Sequence, residues 1–247
     1  MTYLEIPTPV HSLLIELSRT NDLIERIKLL AATIENRISF ATSLGLEDQA
    51  ILNAVAASGA AIDIFTLDTG RLFAETIDTI AKSERRYGVK IRVLAPEAHQ
   101  VEVLVARDGV LGFRHSIEAR KACCHVRKVE PLQRALDGAA GWVTGLRRGQ
   151  SGERAQLPFV AWDDAFKLVK VNPIADWPLE KLEAYAQAHA IPVNPLHAKG
   201  FPSIGCAPCT RAVQPGEDIR AGRWWWERDW GKECGLHNRP RQEAGAS

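Results

Sequence analysis

The feature that most constrains the fold is an alternation of short β-compatible runs and helix-length segments over the first third of the chain. The β-compatible runs cover residues 37–41, 61–66 and 89–94, and segments with helical spacing, 46–57 and 72–86, lie between them. Strands joined by helices of this length form right-handed βαβ crossovers and a parallel sheet, and ligands bind beyond the carboxyl ends of its strands. We therefore expect an α/β fold, a parallel twisted sheet flanked by helices, with its site at that edge.

The rest of the chain extends this pattern and then departs from it. A helical region at 114–136, strands at 141–144 and 167–171, and an amphipathic helix at 179–190 are expected next. From Ile191 onward prolines and glycines become frequent, which predicts a loop-rich, cysteine-bearing C-terminal segment. We divide the chain into an N-terminal helical segment (1–36), an α/β domain (37–215) and a C-terminal tail (216–247).

The charge balance and the apolar runs exclude several classes of partner. The chain of 247 residues has 31 Lys and Arg against 30 Asp and Glu, a formal charge of +1, so no global field attracts nucleic acid or an anionic membrane. No apolar run approaches the roughly 18 residues that span a bilayer. Residues 1–17 include charged side chains and do not follow the pattern of a secretory signal. We expect a cytoplasmic location, no nucleic-acid partner and no membrane partner.

The five cysteines are grouped rather than scattered. They occur as Cys123-Cys124, as Cys206-x-x-Cys209 and as the single Cys234, and an odd number without an export signal argues against a disulfide framework. Neighbouring side chains on a helix diverge by about 100°, which suits a polynuclear iron–sulfur cluster better than one tetrahedral ion. A zinc site and a redox dithiol remain alternatives.

Cys234 stands apart from the other four cysteines. It lies in a short segment next to a glycine, with Lys232 and His237 close to it in sequence. Both neighbours favour a thiolate, so Cys234 is a candidate nucleophile. The alternative is an exposed thiol without a function.

The loop after the first β-compatible run is a candidate anion site. Ser43 and Gly45 precede the helical segment, and a hydroxyl with free backbone N–H groups at a helix N-terminus suits a phosphate or sulfate. The alternative is an ordinary turn in which a serine caps the helix.

Basic residues are concentrated around the first cysteine pair. Residues 114–154 contain nine Lys and Arg against four acids, which suits a small anionic ligand, although a solvated helical face explains some of them. Arg220 and Arg223 share one side if their segment is helical. The tryptophans at 224–226 follow, and they suit either stacking on a base or packing of the tail.

Six motifs, which follow one another along the chain, resemble those of the assimilatory sulfonucleotide reductases. These are the adenylyl-sulfate (APS) and phosphoadenylyl-sulfate (PAPS) reductases. The resemblance extends from about residue 38 to residue 237. The motifs are 42–48 (TSLGLED), 66–71 (TLDTGR), 123–124 (CC) with 127–132 (RKVEPL), 144–148 (TGLRR), 202–211 (PSIGCAPCTR) and 233–237 (ECGLH).

The resemblance implies a fold, a cofactor and a set of site residues. The fold is that of the adenine-nucleotide α-hydrolase-like proteins, with 37–215 as the nucleotide-binding reductase domain. A [4Fe-4S] cluster on Cys123, Cys124, Cys206 and Cys209 is implied, and members with both cysteine pairs generally prefer APS. Cys234 matches the nucleophile, carried by the tail. The residues expected to bind substrate are Ser43, Gly45, Lys128, Arg147, Arg220, Arg223 and His237.

The implied activity is the thiol-dependent reduction of APS to sulfite and AMP through an S-sulfocysteine intermediate, in sulfate assimilation and cysteine biosynthesis. Thioredoxin or a similar thiol donor is the expected electron source, and a homo-oligomer is expected. The alternatives are a PAPS-preferring reductase, a tRNA-thiolating enzyme of the PP-loop class, and a non-enzymatic zinc- or cluster-binding regulator.

Overall fold

The computed structural model describes residues 8–227 and Leu236. Its helices are α1 (Thr8–Arg19), α2 (Leu23–Thr33), α3 (Leu46–Ser58), α4 (Ala74–Tyr87), α5 (Ala98–Asp108), α6 (Ile117–Cys124), α7 (Glu130–Leu136) and α8 (Leu179–Ala188). Its strands are β1 (Ile38–Ala41), β2 (Ile62–Leu67), β3 (Arg92–Leu94), β4 (Gly141–Val143), β5 (Val160–Asp163) and β6 (Leu168–Val171). None of the helices in these residues is long and apolar enough to cross a membrane.

The six strands form one sheet in the order β3-β2-β1-β4-β6-β5. Every neighbouring pair is parallel except β5 and β6, which are antiparallel at one edge. The expected α/β fold with a parallel sheet is confirmed. Because the chain runs outward from β1 to β3 and then returns to place β4 on the other side of β1, the strand order reverses between β1 and β4. Such a reversal opens a crevice at the carboxyl ends of these two strands.

The N-terminal helices pack into the same hydrophobic core as the sheet. Leu17 of α1 and Leu30 of α2 are fully buried in one cluster with Phe40 of β1. The Arg26 side chain, also fully buried, binds Asp176 at 2.6 Å and the carbonyl oxygen of Pro173 at 2.6 Å. These contacts hold α2 against the segment that follows β6. The division of the chain at residues 36 and 215 remains a prediction.

The structure adds two elements that the sequence pattern does not predict and shortens a third. In the edge strand β5, Val160 is the one fully buried residue, so the run lacks an alternating apolar face. In α5 only Leu104 is buried, so that helix lacks an apolar stripe. The expected strand at 89–94 is reduced to β3, since only residues 92–94 pair with β2.

The helical region expected at 114–136 is not one regular helix. Between α6 and α7 the residues His125–Val129 form a π-helical turn. Such wide turns occur mostly as single interruptions and frequently at functional sites. This one directly follows the first cysteine pair and contains Lys128, which lines both cavities described below.

Candidate active site

A cavity of about 260 Å³ lies at the carboxyl ends of the central strands. Its wall includes Ala41 at the end of β1, Leu67 at the end of β2 and Thr144 directly after β4. Arg220 and Leu236 close it from the C-terminal side. The cavity therefore occupies the edge of the sheet where the strand order reverses, as the βαβ pattern predicts.

One part of this cavity is acidic and is built on Asp48 in the first turn of α3. The Asp48 Oδ2 atom accepts hydrogen bonds from the backbone N–H and the hydroxyl of Ser43, both at 2.6 Å. Burial raises the pKa of Asp48 to about 6, against the opposing effect of the bonds from Ser43. A Cβ added at Gly145 would overlap Asp48 Oδ1, so the loop after β4 approaches this carboxylate closely.

The neighbouring Glu47 is paired with an arginine behind the cavity wall. Its Oε1 atom accepts hydrogen bonds from Arg147 Nε at 3.0 Å and Nη2 at 2.8 Å, and from Gln150 Nε2 at 3.0 Å. Arg147 also donates to the carbonyl oxygen of Trp177 at 3.1 Å, and its side chain is only 5% exposed. The guanidinium of Arg147 is therefore held by protein groups.

The opposite electrostatic character is found where the cavity meets the cysteine loop. Lys128, Arg220 and Arg223 line it there, together with Gly205. The Nη1 atom of Arg223 donates to the hydroxyl of Ser203 at 3.3 Å. A Cβ at Gly205 would overlap the Arg223 guanidinium, so glycine at this position lets the cation lie against the loop. Clustered cations of this kind suit an anionic group.

All four paired cysteines meet at a second, much smaller cavity. Cys123 and Cys124 reach it from the end of α6, and Cys206 and Cys209 reach it from the loop. The remaining wall is formed by one aromatic and four cationic side chains, namely Phe113, Arg71, Arg120, Arg127 and Lys128. Since Cys206 and Lys128 line both cavities, the two sites share a wall.

The thiols of the second pair differ in their electrostatic environment. Burial acts to raise the pKa of Cys206, but Lys128, the Thr69 hydroxyl at 3.2 Å, Arg223 and Arg127 together lower it below the ordinary value. Burial and the neighbouring thiols raise the pKa of Cys209 to about 12. The cationic wall therefore favours negative charge on the sulfur nearest to the large cavity.

The donor set of the small cavity is chemically suited to a thiolate-ligated metal centre. Iron–sulfur clusters and zinc are both bound by four cysteine thiolates. The cationic neighbours favour the thiolate form of the cysteines. Within residues 8–227 and Leu236, no three His, Cys, Asp or Glu side chains form a compact group for a single ion.

A short loop attaches the tail to the cysteine region. Thr210 and Arg223 form an antiparallel bridge, and the Arg211 N–H donates to the Gly222 carbonyl oxygen at 3.0 Å. A Cβ at Gly222 would overlap the Arg211 carbonyl oxygen. Trp224, which follows Arg223, donates its N–H to the Cys209 carbonyl oxygen at 3.1 Å. The base of this loop thereby places Arg223 next to the cysteine pair.

Comparisons with known proteins agree with this architecture. The phosphoadenosine phosphosulfate reductase domain family matches residues 37–212. The chain belongs to this family. An adenosine 5′-phosphosulfate reductase from Agrobacterium fabrum is 54% identical over 87% of this chain and 83% of its own. One from Neisseria meningitidis is 46% identical over 89% of this chain and 90% of its own. The protein is therefore an oxidoreductase that acts on a sulfur group.

Solved structures support the fold of the reductase. The phosphoadenylyl-sulfate reductase from Candida auris, solved as a phosphate complex, superposes with a TM-score of 0.69 at 24% identity, over 83% of this chain and 96% of that chain. An FMN adenylyltransferase from Candida glabrata superposes with a TM-score of 0.50 at 13% identity, over 94% of this chain and 85% of that chain. The first of these likenesses also confirms the expected fold class.

The reductase cavity contains most, but not all, of the residues expected to bind substrate. Ser43, Gly45, Lys128, Arg220 and Arg223 line it. Their roles, and that of the four paired cysteines as metal ligands, remain predictions. The expected nucleophile and the expected histidine contact, Cys234 and His237, lie outside the described residues.

Two of the residues expected to bind substrate, Arg147 and Ser43, are hydrogen-bonded to protein groups, and their roles remain predictions. Arg147 is not in the lining of the large cavity, because Glu47 and Trp177 hold its guanidinium. Asp48 accepts hydrogen bonds from both the backbone N–H and the hydroxyl of Ser43, so these two donors are engaged within the protein, and the anion site at this loop remains a prediction.

Sequence reasoning gave no role to His197, which lines the cavity wall. Arg154, predicted only as part of the basic cluster at 114–154, lines it as well. His197 lies in the proline- and glycine-rich segment that precedes the cysteine loop, where no periodicity assigns a side chain to a face. The packing of the tryptophans is settled for Trp224, which is buried with Phe113, Cys206 and Cys209.

Proposed function

We propose that the protein reduces adenosine 5′-phosphosulfate to sulfite and AMP, with Cys234 as nucleophile and a protein dithiol of the thioredoxin type as electron donor. The choice of substrate is supported by the relatives from Agrobacterium fabrum and Neisseria meningitidis, both of which are named adenosine 5′-phosphosulfate reductase. The observation that carries the proposal is the position of Leu236, which follows Cys234 by two residues and lines the same cavity as Lys128, Arg220 and Arg223.

The charge distribution supports one orientation of the substrate. The phosphosulfate is anionic, so it belongs at Lys128, Arg220 and Arg223 rather than at Glu47 and Asp48. The nucleoside is uncharged, and its hydroxyl and amino groups are hydrogen-bond donors that suit the acidic part of the cavity. This orientation directs the sulfonate toward the part of the wall that is formed by C-terminal residues, among them Arg220 and Leu236.

In the first step, the Cys234 thiolate attacks the sulfonate sulfur. A sulfur–sulfur bond forms, the bond between that sulfur and the bridging oxygen breaks, and the electron pair leaves with the phosphate of AMP. The cysteine becomes S-sulfocysteine. Because negative charge grows on the leaving phosphate, cations fixed beside it stabilise the transition state more than the bound substrate.

In the second step, a thiolate of the donor attacks the Cys234 sulfur. A mixed disulfide forms and sulfite leaves with the electron pair of the sulfur–sulfur bond. The second thiol of the donor then attacks the mixed disulfide, which returns Cys234 as a thiolate and leaves the donor oxidised. The dithiol thus supplies both electrons, and no other reductant is needed.

We also propose that Cys123, Cys124, Cys206 and Cys209 hold a [4Fe-4S] cluster. When bound, the cluster supplies a fixed charge and a structural link rather than electrons. Lys128 and Cys206 line both cavities, so they couple the electrostatics of the thiol cavity to those of the substrate cavity.

The test measures sulfite release by anaerobically purified protein, from APS and separately from PAPS, with reduced thioredoxin. We expect sulfite from APS, and none from a Cys234→Ser variant whose iron content and AMP affinity are unchanged. Incubation with APS and no thiol should give a stable adduct of one SO3 group on Cys234, visible by mass spectrometry. Release from PAPS alone would replace the proposed substrate, and release by the serine variant would exclude the proposed nucleophile.

A further inference from the structure

His197 is a side chain of the large cavity that the proposed chemistry leaves without a role. It begins the short 3-10 turn His197–Lys199 and is half-buried in the wall of the cavity. Its Nδ1 atom lies 3.0 Å from the carbonyl oxygen of Phe201. Because a carbonyl oxygen can only accept, this contact places the ring proton on Nδ1.

The other ring nitrogen is an acceptor that no donor among the described residues contacts. With the proton on Nδ1, the Nε2 atom of the neutral ring carries a lone pair. That atom is buried and has no hydrogen-bond partner within residues 8–227 and Leu236. Burial lowers the pKa of His197, with Glu47 opposing it, so the ring is neutral at physiological pH. Buried acceptors are rarely left unpaired, which points to a donor supplied by a ligand.

The chemistry of an acceptor decides which part of a substrate it can contact. Phosphate and sulfonate oxygens are themselves acceptors, so a neutral Nε2 cannot bind them. An adenosine nucleotide has donors only in its nucleoside, at the amino group of the base and at the two ribose hydroxyls. Glu47, whose charge acts on His197, adds a second acceptor on this side of the cavity.

We propose that His197 Nε2 accepts a hydrogen bond from the nucleoside of the substrate and so positions the phosphosulfate toward Lys128 and Arg223. This inference rests on the proposed function and adds a specific nucleoside contact to it. The residue is a binding and positioning residue, and it takes no part in bond breaking.

The test uses binding of AMP, the proposed product, measured by calorimetry with the full chain. His197→Asn keeps a donor near the position of Nδ1–H and lacks the Nε2 acceptor, whereas His197→Gln places an acceptor near the position of Nε2. We expect the asparagine variant to bind AMP about fivefold to tenfold more weakly, and the glutamine variant to retain most of the affinity. A purely structural role through Phe201 predicts the opposite order.

Three analogues identify the donor: purine riboside 5′-monophosphate, 2′-deoxy-AMP and 3′-deoxy-AMP. The analogue that lacks the contacted donor should bind the wild type as weakly as AMP binds His197→Asn. His197→Asn should bind this analogue and AMP with equal affinity. His197→Phe, which fills the same space, replaces the asparagine variant if that protein does not fold.

Unchanged AMP affinity in His197→Asn would overturn the inference. The inference would also be overturned if the ratio of the affinities for AMP and for each analogue were the same in the wild type and in His197→Asn. Sulfite release from APS by the wild type is measured separately, so either result can be told apart from a failure of the proposed function.

Discussion

The Glu47 carboxylate accepts two hydrogen bonds from the guanidinium of Arg147, a residue 100 positions further along the chain. The pair joins the first turn of α3 to the segment after β4, which are the two loops on either side of the point where the strand order reverses. It therefore ties together, behind the cavity wall, the two segments that flank this reversal.

Replacing Glu47 by Ala should destabilise the protein by about 3 kcal/mol, because the nearly buried Arg147 would lose its counter-ion. Urea unfolding measures the change. A double variant, Glu47→Leu with Arg147→Met, should recover most of the loss, because it leaves no unpaired charge. Equal destabilisation in the single and double variants would contradict the explanation that the loss comes from the unpaired charge of Arg147.

Asp48 should make the stability of the fold depend on pH between about 4 and 6. Its pKa in the folded protein is about 6, above the ordinary 3.8, so the folded state binds more protons than the unfolded chain in this interval. The contribution of Asp48 to stability is then fully present below the lower value and is lost as the pH rises through the higher one, by an amount on the order of 3 kcal/mol. Asn at this position does not titrate. Urea unfolding should be measured for the wild type and for Asp48→Asn from pH 4 to 7. As the pH rises, the free energy of unfolding of the wild type should fall relative to that of the variant. Curves of free energy against pH that stay parallel would contradict the prediction.

Gly145→Ala should lower the stability of the protein. The added Cβ would overlap Asp48 Oδ1 and press on the Glu47 side chain, and neither the buried carboxylate nor the helix that carries it can move far. Overpacking of this kind costs about 1–3 kcal/mol. Gly152→Ala is the matched control, because its added Cβ has no neighbour within 4 Å. Thermal unfolding of the two variants should separate clearly, and similar melting temperatures would refute the steric argument.

Gly205→Ala should weaken AMP binding without a large loss of stability. Its Cβ would overlap the guanidinium of Arg223, the flexible end of a long side chain, so the cation moves while the fold remains. Losing a contact between a phosphate and a charged group costs about tenfold in affinity. Gly149→Ala serves as the control, since its Cβ makes only ordinary contact with Arg147. Iron content measured in parallel shows whether the neighbouring Cys206 is disturbed. Wild-type affinity in Gly205→Ala would mean that Arg223 does not contact the nucleotide.

Anaerobically purified wild type should contain about four irons and four acid-labile sulfides per chain, as a [4Fe-4S] cluster requires. Single serine substitutions at Cys123 and Cys206 should remove most of both, because each deletes one of the four thiols around the small cavity. Cys234→Ser should retain them. Zinc in place of iron, at one ion per chain, would contradict the cluster and support the mononuclear alternative.

The sequence predicted the elements that carry strong local patterns. The strands β1, β2, β4 and β6 are short apolar runs ended by polar residues or glycine. Gly88, the residue directly after α4, adopts the left-handed conformation with φ 64°, and its backbone N–H donates to the carbonyl oxygen of Glu84. The strand β5 and the helix α5 were missed because each buries a single residue, and their stability comes from neighbours distant in sequence.

The site was less accessible to sequence reasoning. The family resemblance implied that both cysteine pairs contribute to one centre, and the structure brings them to one cavity. The pairing of Arg147 with Glu47 and the use of the Ser43 donors by Asp48 depend on three-dimensional contacts and on burial. A basic residue in a motif does not reveal whether its charge is already paired. His197 gave no sequence signal at all, because its significance lies in a ring nitrogen that has no hydrogen-bond partner among the described residues.

The loop closed by Thr210 and Arg223 has a fixed base, which places Arg223, and an exposed outer part, which meets the solvent. Its base is fixed by the bridge, by the Arg211 to Gly222 hydrogen bond and by the lack of room for a Cβ at Gly222. Its outer residues, 214–219, are exposed. Evolution can therefore change the length and composition of the outer part, and with it the surface that other molecules meet, while Arg223 keeps its place beside Cys209.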